Sequence, residues 1–384
     1  MDRVKKVVEK IGERIRKEGF KAVLFYTKKF DGFIPEKFVY SRDDMKRAYM
    51  KLDNEKKNVF KSVYSNILKY HDELKKRYIR NVDLFLRGVK IRFRFIPLKS
   101  IGIYVPGGNY PYPSTVFMTA IPAKVSGVRE IYVVTPPKNL KNEILSACYL
   151  SGVNELYAIG GAQGIFSLAF GIKPFKKVDK IVGPGNIYVN EAKRQIFGIV
   201  GIDSLAGPSE VAVLVLKKVN FEILKAELLA QLEHGKNTKA ILVTNIRSIY
   251  LKVKKEIKKI NCFYTKSVDK AVNIVNEIAP EHLVVIGGGK KLLKKIENAG
   301  AIFVGENSAV PFGDYVAGPS HVLPTDGTAR FSSGLALFDF YKTQAIIEYT
   351  NKGFEKDYFP AIKMAEIEGM NWHKKAIEIR RQKG

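Results

Sequence analysis

The sequence predicts an α/β fold: two Rossmann-like, incomplete parallel-sheet modules with helical segments at the N- and C-terminal ends. Three observations lead there. From residue 101 to residue 304, short runs rich in β-branched and aromatic residues alternate with helix-length segments, as βαβ units do. The alternation comes in two series. The stretches on either side, 1–100 and 334–384, read instead as helices.

Taken in order, Met1–Lys17 is a charged amphipathic helix pattern, and Arg42–Arg80 keeps a 3.6-residue period with little turn chemistry. The first series has strands at Ile101–Val105, Glu130–Thr135, Glu155–Ile159 and Lys180–Val182. Its helices fall at Ser114–Val125, Asn142–Leu150, Ile165–Phe170 and Tyr188–Phe197. The second series has strands at Val211–Leu216, Ala240–Thr244, Asn261–Tyr264, His282–Ile286 and Ala301–Val304. Its helices lie near Phe221–His234, Ile249–Ile260, Val268–Ile278 and Lys290–Asn298. Gly334–Gly384 is helical again and holds the single tryptophan, Trp372. The expected domains are a discontinuous α/β domain of 1–103 with 210–335, a second Rossmann-like domain at 104–209, and a helical tail at 336–384.

The chain has 384 residues, 46% hydrophobic and 27% charged, a globular balance long enough for two or three domains. No apolar run reaches bilayer length, and the first residues lack a signal-peptide core. The expected location is the cytoplasm, with no membrane partner. A formal charge of +27 raises nucleic-acid binding. The lysines, however, are spread over many helices among apolar and acidic neighbours, as a solvated surface would have them. No nucleic-acid partner is expected. The two cysteines, Cys148 and Cys262, sit in apolar stretches and make neither a disulfide framework nor a thiolate metal site.

The chemistry-bearing segments are few. Of the five histidines, His71 lies in a polar helical stretch and reads as structural or solvated. In the helix from Phe221, residues Phe221, Leu224, Leu228 and Leu232 form an apolar stripe with Gln231 on its edge and His234 one turn on. That pair either converges on an ion or is a hydrogen-bonded Gln–His pair. Ala279-Pro280-Glu281-His282-Leu283 places adjacent Glu and His before an apolar strand, where they can serve as separate acid–base groups. The Gly313–Thr325 segment, with Asp314 and His321 among glycines and prolines, reads as a shaped loop. Asp314 suits a hard-to-borderline cation. Glu368 and His373 sit at a junction between terminal helices.

Three glycine loops follow strands: Tyr104-Val105-Pro106-Gly107-Gly108, Gly160-Gly161-Ala162-Gln163 and Gly183-Pro184-Gly185-Asn186. They occupy the carboxyl edge, where open α/β sheets bind ligands. A fourth turn, Ala206-Gly207-Pro208-Ser209-Glu210, precedes the second series. No G-x-G-x-x-G follows a strand, which argues against the usual dinucleotide site.

Together these segments resemble histidinol dehydrogenase, in the family's order and over almost the whole chain. The resemblance implies zinc, one per subunit, held by Gln231, His234, Asp314 and His373. It implies Glu281 and His282 as the acid–base pair, and NAD contacts at Tyr104, Gln163 and Asn186. Substrate contacts carry over to Ser209, His321 and Glu368, with Gln231, His234, His282, Asp314 and His373 beside them. The implied substrate is L-histidinol, and the implied assembly is a homodimer whose tails cross to the partner and complete its site. Three departures stand out: the family's arm ahead of the first helix is lacking, Leu232 replaces a more usual alanine, and Asn109-Tyr110-Pro111-Tyr112 is less typical. A zinc hydrolase would use the same ligand types, but no H-E-x-x-H helix is present and the glycine loops would have no task.

Overall fold

The structure, a computed structural model, describes residues 2–107, 110–233 and 238–381. Backbone contacts divide the chain into two units, one of 1–75 with 98–340 and the other of 76–97 with 341–384.

Within the described residues the strands run in chain order as β1 (Val39–Tyr40), β2 (Val82–Leu86), β3 (Val89–Pro97), β4 (Ser100–Tyr104), β5 (Glu130–Thr135), β6 (Glu155–Ala158) and β7 (Lys180–Val182). They continue as β8 (Gly201–Ile202), β9 (Glu210–Val215), β10 (Lys239–Thr244), β11 (Ile260–Tyr264), β12 (His282–Ile286), β13 (Ala301–Val304) and β14 (Tyr341–Tyr349).

The first unit holds two sheets. One has the order β1-β6-β5-β4-β7-β8, parallel except for the short antiparallel β1 at its edge. The other, β11-β10-β9-β12-β13, is parallel throughout. Every residue of β9 and β12 is buried. A strand covered on both faces by crossover helices must be apolar on both, which is why these segments are unbroken Val/Leu/Ile runs rather than alternating ones. The two faces of that sheet carry separate cores. Val213, Val284, Leu224 and Leu228 lie in one, and Leu214, Val285, Val272 and Val275 in the other. The core of the first sheet draws in the N-terminal helices Asp2–Glu18 and Phe20–Asp31, through Val8, Ile11, Ile15 and Val23.

The second unit differs from an all-helical expectation. Its β14, β3 and β2 form an antiparallel sheet, with β14 and β3 paired over nine residues from Tyr341↔Pro97 to Tyr349↔Val89. Val89, Ile91, Phe93 and Phe95 alternate with Lys90, Arg92 and Arg94, a period of two that favours a strand over a helix. The helices Asn351–Ile367 and Asn371–Arg381 follow. No helix among the described residues is long and apolar enough to cross a membrane.

Candidate active site

One group of buried polar residues gathers at the amino ends of the second sheet's strands. Glu281 and His282 stand at the entry to β12, Ser209 and Glu210 at the entry to β9, and the two strands are in register from His282↔Val211. The helix Phe221–Leu232 crosses from β9 back to β10, so its last turn returns to that same edge and delivers Gln231. The stripe predicted for this helix is present: Leu224 and Leu228 are fully buried, and Gln231 beside them is also buried.

A buried amide requires a partner, and Gln231 finds one. Its Nε2 donates to Ser209 Oγ at 2.9 Å, and that hydroxyl donates to Glu281 Oε2 at 2.6 Å. The same carboxylate oxygen accepts the Glu210 amide at 2.9 Å. His282 Nδ1 lies 3.7 Å from Glu281 Oε2, and its Nε2 lies 3.5 Å from Asp314 Oδ1. Both ring nitrogens are buried and neither makes a hydrogen bond within the chain.

Electrostatics follow from this placement. Burial pushes the Glu281 carboxyl above its ordinary range, against the pull of His282, Ser209 and the Glu210 amide. Burial acts on His282 in the opposite sense, but Asp314 and Glu281 outweigh it and hold the ring above its ordinary range.

Asp314 does not lie in a loop. It belongs to the short helix Val310–Tyr315, with Pro311 in the first turn, where its missing N–H costs nothing. The chain then folds back so that the His321 Nδ1–H donates to the Asp314 carbonyl at 2.9 Å, which leaves Nε2 as an acceptor 3.4 Å from Thr115 Oγ1. His282, Asp314, Ser320 and His321 line one cavity of about 500 Å³. The Gly207 amide bonds to Thr325 Oγ1, which ties the Ala206–Glu210 turn to the end of this segment. His234 lies outside the described residues. Glu368 and His373 belong to the second unit, one capping the helix Asn351–Ile367 and the other in the helix Asn371–Arg381.

A second cluster sits at the carboxyl edge of the first sheet. Tyr104, Gln163 and Asn186 line a cavity of about 650 Å³, together with Pro136 and Gly161. The Tyr104 hydroxyl accepts the Gly161 amide at 3.1 Å, and burial pushes its pKa up to about 12. Gln163 is buried, with no partner for its Oε1. Asn186 caps the helix Ile187–Ile196 by accepting from the Tyr188 and Val189 amides, so only its amide NH₂ remains for a ligand. Gly183 has φ +112°, and a Cβ there would collide with the Tyr104 carbonyl oxygen.

Several residues in these clusters were not singled out by sequence. Lys193 and Asp203 form an ion pair, 1% and 4% exposed, and together they hold Gly183. Lys193 Nζ donates to its carbonyl at 3.1 Å, and its amide donates to Asp203 Oδ2 at 2.7 Å. Removing one partner of such a pair costs about 3–5 kcal/mol. Glu227 lies one turn before Gln231, accepts the Val310 amide at 3.4 Å, and is raised by burial with Asp314 adding to it. Its helical spacing from Gln231 was visible in the sequence. The Lys193–Asp203 pairing left no such trace.

Among the described residues, no three His, Cys, Asp or Glu side chains come together at metal-binding spacing. Cys148 is a fully buried core residue whose thiol burial pushes up, and Cys262 is half-buried against the core of the second sheet.

A family model described as histidinol dehydrogenase matches residues 1–381. Histidinol dehydrogenase of Bacillus cereus is 41% identical, and the match covers 98% of this chain and 92% of that protein. That of Prochlorococcus marinus is 40% identical, over 98% of this chain and 93% of its own. A crystal structure of histidinol dehydrogenase from Elizabethkingia anophelis superposes with a TM-score of 0.91 at 34% identity, over 98% of this chain and 92% of that one. An acetylating aldehyde dehydrogenase from Geobacillus thermoglucosidasius, at a TM-score of 0.51 and 12% identity, is alike in fold alone.

Proposed function

This chain belongs to the histidinol dehydrogenase family, and from that premise we propose a zinc-dependent, two-step oxidation of L-histidinol through L-histidinal to L-histidine, with NAD as the oxidant. The observation that supports the proposal is the chain Gln231–Ser209–Glu281–His282–Asp314, which brings two candidate bases, Glu281 and His282, together with two candidate metal ligands, Gln231 and Asp314.

The donors fit zinc. Imidazole nitrogens and a carboxylate oxygen are ordinary zinc ligands, and the amide oxygen is a weak one that leaves the ion open to further nitrogen donors. Gln231 turns its NH₂ toward Ser209, which leaves the amide oxygen as the end that would face a cation. With Gln231, His234, Asp314 and His373 holding it, zinc would supply a Lewis-acidic template for the substrate's amine and imidazole.

The protein's own groups account for the protons. Bound NAD would supply the hydride acceptor for the alcohol carbon in the first oxidation, and His282 would take the hydroxyl proton. Its ring nitrogens are buried without hydrogen-bond partners within the chain, so accepting that proton disrupts no existing bond. Histidinal must then gain water. Glu281 takes a proton from the water as its oxygen bonds to the aldehyde carbon, and burial makes that carboxylate a stronger acceptor. With its proton left on Glu281, the adduct is the anion of the hydrate, and a second bound NAD would accept hydride from it to give the carboxylic acid with no further proton to place. No thiol is needed. Tyr104, Gln163 and Asn186 would bind the dinucleotide, and Ser209, His321 and Glu368 would orient the substrate.

The proposed molecule is a cytoplasmic homodimer. Residues 210–335 with 1–103 carry the zinc and acid–base groups, 104–209 the dinucleotide side, and the 336–384 tail reaches the partner's site. The test is NADH absorbance on mixing protein, L-histidinol and NAD, before and after chelation. Two NADH per histidinol, lost on chelation and restored by zinc, are expected. One NADH per histidinol, or full activity in a verified metal-free sample, would overturn the proposal.

A further inference from the structure

Asp31 is an anomaly in the cavity beside Tyr104. It is the last residue of the helix Phe20–Asp31, where a carboxylate faces the negative end of the helix dipole. Its Oδ2 is out of water and has no hydrogen-bond partner. Each feature costs stability in the free protein; Lys28 and Lys29 in the same turn and the charge of Lys138 offset it only in part, and among the described residues no donor meets Oδ2.

The surroundings indicate what supplies the missing donor. Asp31 lines the same 650 Å³ cavity as Tyr104, Gln163 and Asn186, and it is the single acidic residue among those lining it. Its charge is felt by the Tyr104 hydroxyl, and Lys138 lies close enough on the same wall to act on it. A ligand that fits there brings hydrogen-bond donors to the carboxylate and negative charge to the lysine. Of the parts of a dinucleotide, a ribose supplies two adjacent hydroxyl donors and the pyrophosphate supplies the charge. A carboxylate bonding a ribose 2′-hydroxyl also repels a 2′-phosphate there.

We propose that Asp31 binds the adenosine ribose hydroxyls of the dinucleotide and makes the site selective for NAD over NADP. This rests on the cavity being the dinucleotide site. Losing a charge-assisted hydrogen bond of this kind weakens binding by about 10- to 100-fold.

Calorimetric titration of the whole enzyme with NAD and with NADP tests it, without turnover. Wild type is expected to bind NAD at least about tenfold more tightly than NADP. Asp31→Ser should weaken NAD by about tenfold and bring the two affinities together. Asp31→Asn, which keeps the shape, should improve NADP binding and melt no lower than wild type, because it relieves the helix end. Equal affinities in wild type would overturn the proposal. So would an NAD-to-NADP ratio unchanged in both variants, the result expected if Asp31 met the nicotinamide amide instead. Failure of the underlying reading is distinct: neither dinucleotide binds wild type, or Gln163→Ala leaves both affinities unchanged, and then the role of Asp31 falls with it.

Discussion

Ser209 donates its hydroxyl to Glu281 across 2.6 Å while it accepts the Gln231 amide at 2.9 Å. One hydroxyl therefore orients both a candidate base and a candidate metal ligand. Ser209→Ala would leave the buried Gln231 amide and Glu281 carboxylate each short of a partner. Turnover is expected to fall by about 10- to 100-fold, from one lost hydrogen bond to a charged group. Zinc content should fall with it, since Gln231 loses its orientation. Activity and bound metal both at wild-type levels would show that the hydroxyl positions neither.

Glu281 and His282 are neighbours in sequence with separate assigned tasks. Glu281→Gln should slow oxidation of histidinal more than oxidation of histidinol, because the aldehyde step alone needs activated water. His282→Asn should slow both. Single-turnover rates from each substrate measure this, and equal slowing of the two steps by Glu281→Gln would remove the division of labour.

The central strands of both sheets were legible because burial on two faces demands unbroken apolar runs, and β5, β7 and β12 lie where the sequence places them, as does the half-exposed edge strand β13. The residues that cluster at the site were legible one by one as isolated polar groups in apolar company. Their common location was not. Nothing in Glu281 or Gln231 says which end of a strand faces chemistry, and the proposed acid–base pair stands at the amino edge, opposite to where open parallel sheets usually bind ligands. The β2–β3 pair was hidden for another reason. A 25-residue helix, Asn54–Tyr78, runs up to it, so the change of period falls within a few residues.

The shared-site proposal has a test by mixing subunits. Gln231→Ala and His373→Ala chains should each be nearly inactive alone. Refolded together, half the dimers are mixed, and each of these has one intact site in two. About a quarter of wild-type activity should return if the sites act independently. No return, with mixed dimers verified, would place His373 in its own subunit's site.

His71 offers a pH test remote from catalysis. It is fully buried in the helix Asn54–Tyr78, and burial pushes its pKa down to about 4 from 6.5. The unfolded chain therefore binds a proton that the folded one refuses. This contribution is complete above pH ~6.5 and is lost as pH falls toward ~4, by about 3 kcal/mol in all. His71→Leu should flatten that part of the acid limb in urea-unfolding midpoints taken between pH 7 and pH 4.5. An acid limb identical to wild type would mean that His71 is not the group responsible.

The nine-residue pairing of β14 with β3 bears on any attempt to shorten the protein. Cutting the chain after Phe340 looks like the removal of a terminal appendage, but it would strip β3 of a neighbour. Val89, Ile91, Phe93 and Phe95 would then lie along an open edge with unmet backbone donors and acceptors, a template for other chains to add to. The truncated protein should therefore be lost to aggregation before its catalysis could be measured. Side-chain replacements on an intact backbone are the informative way to ask what the last residues do.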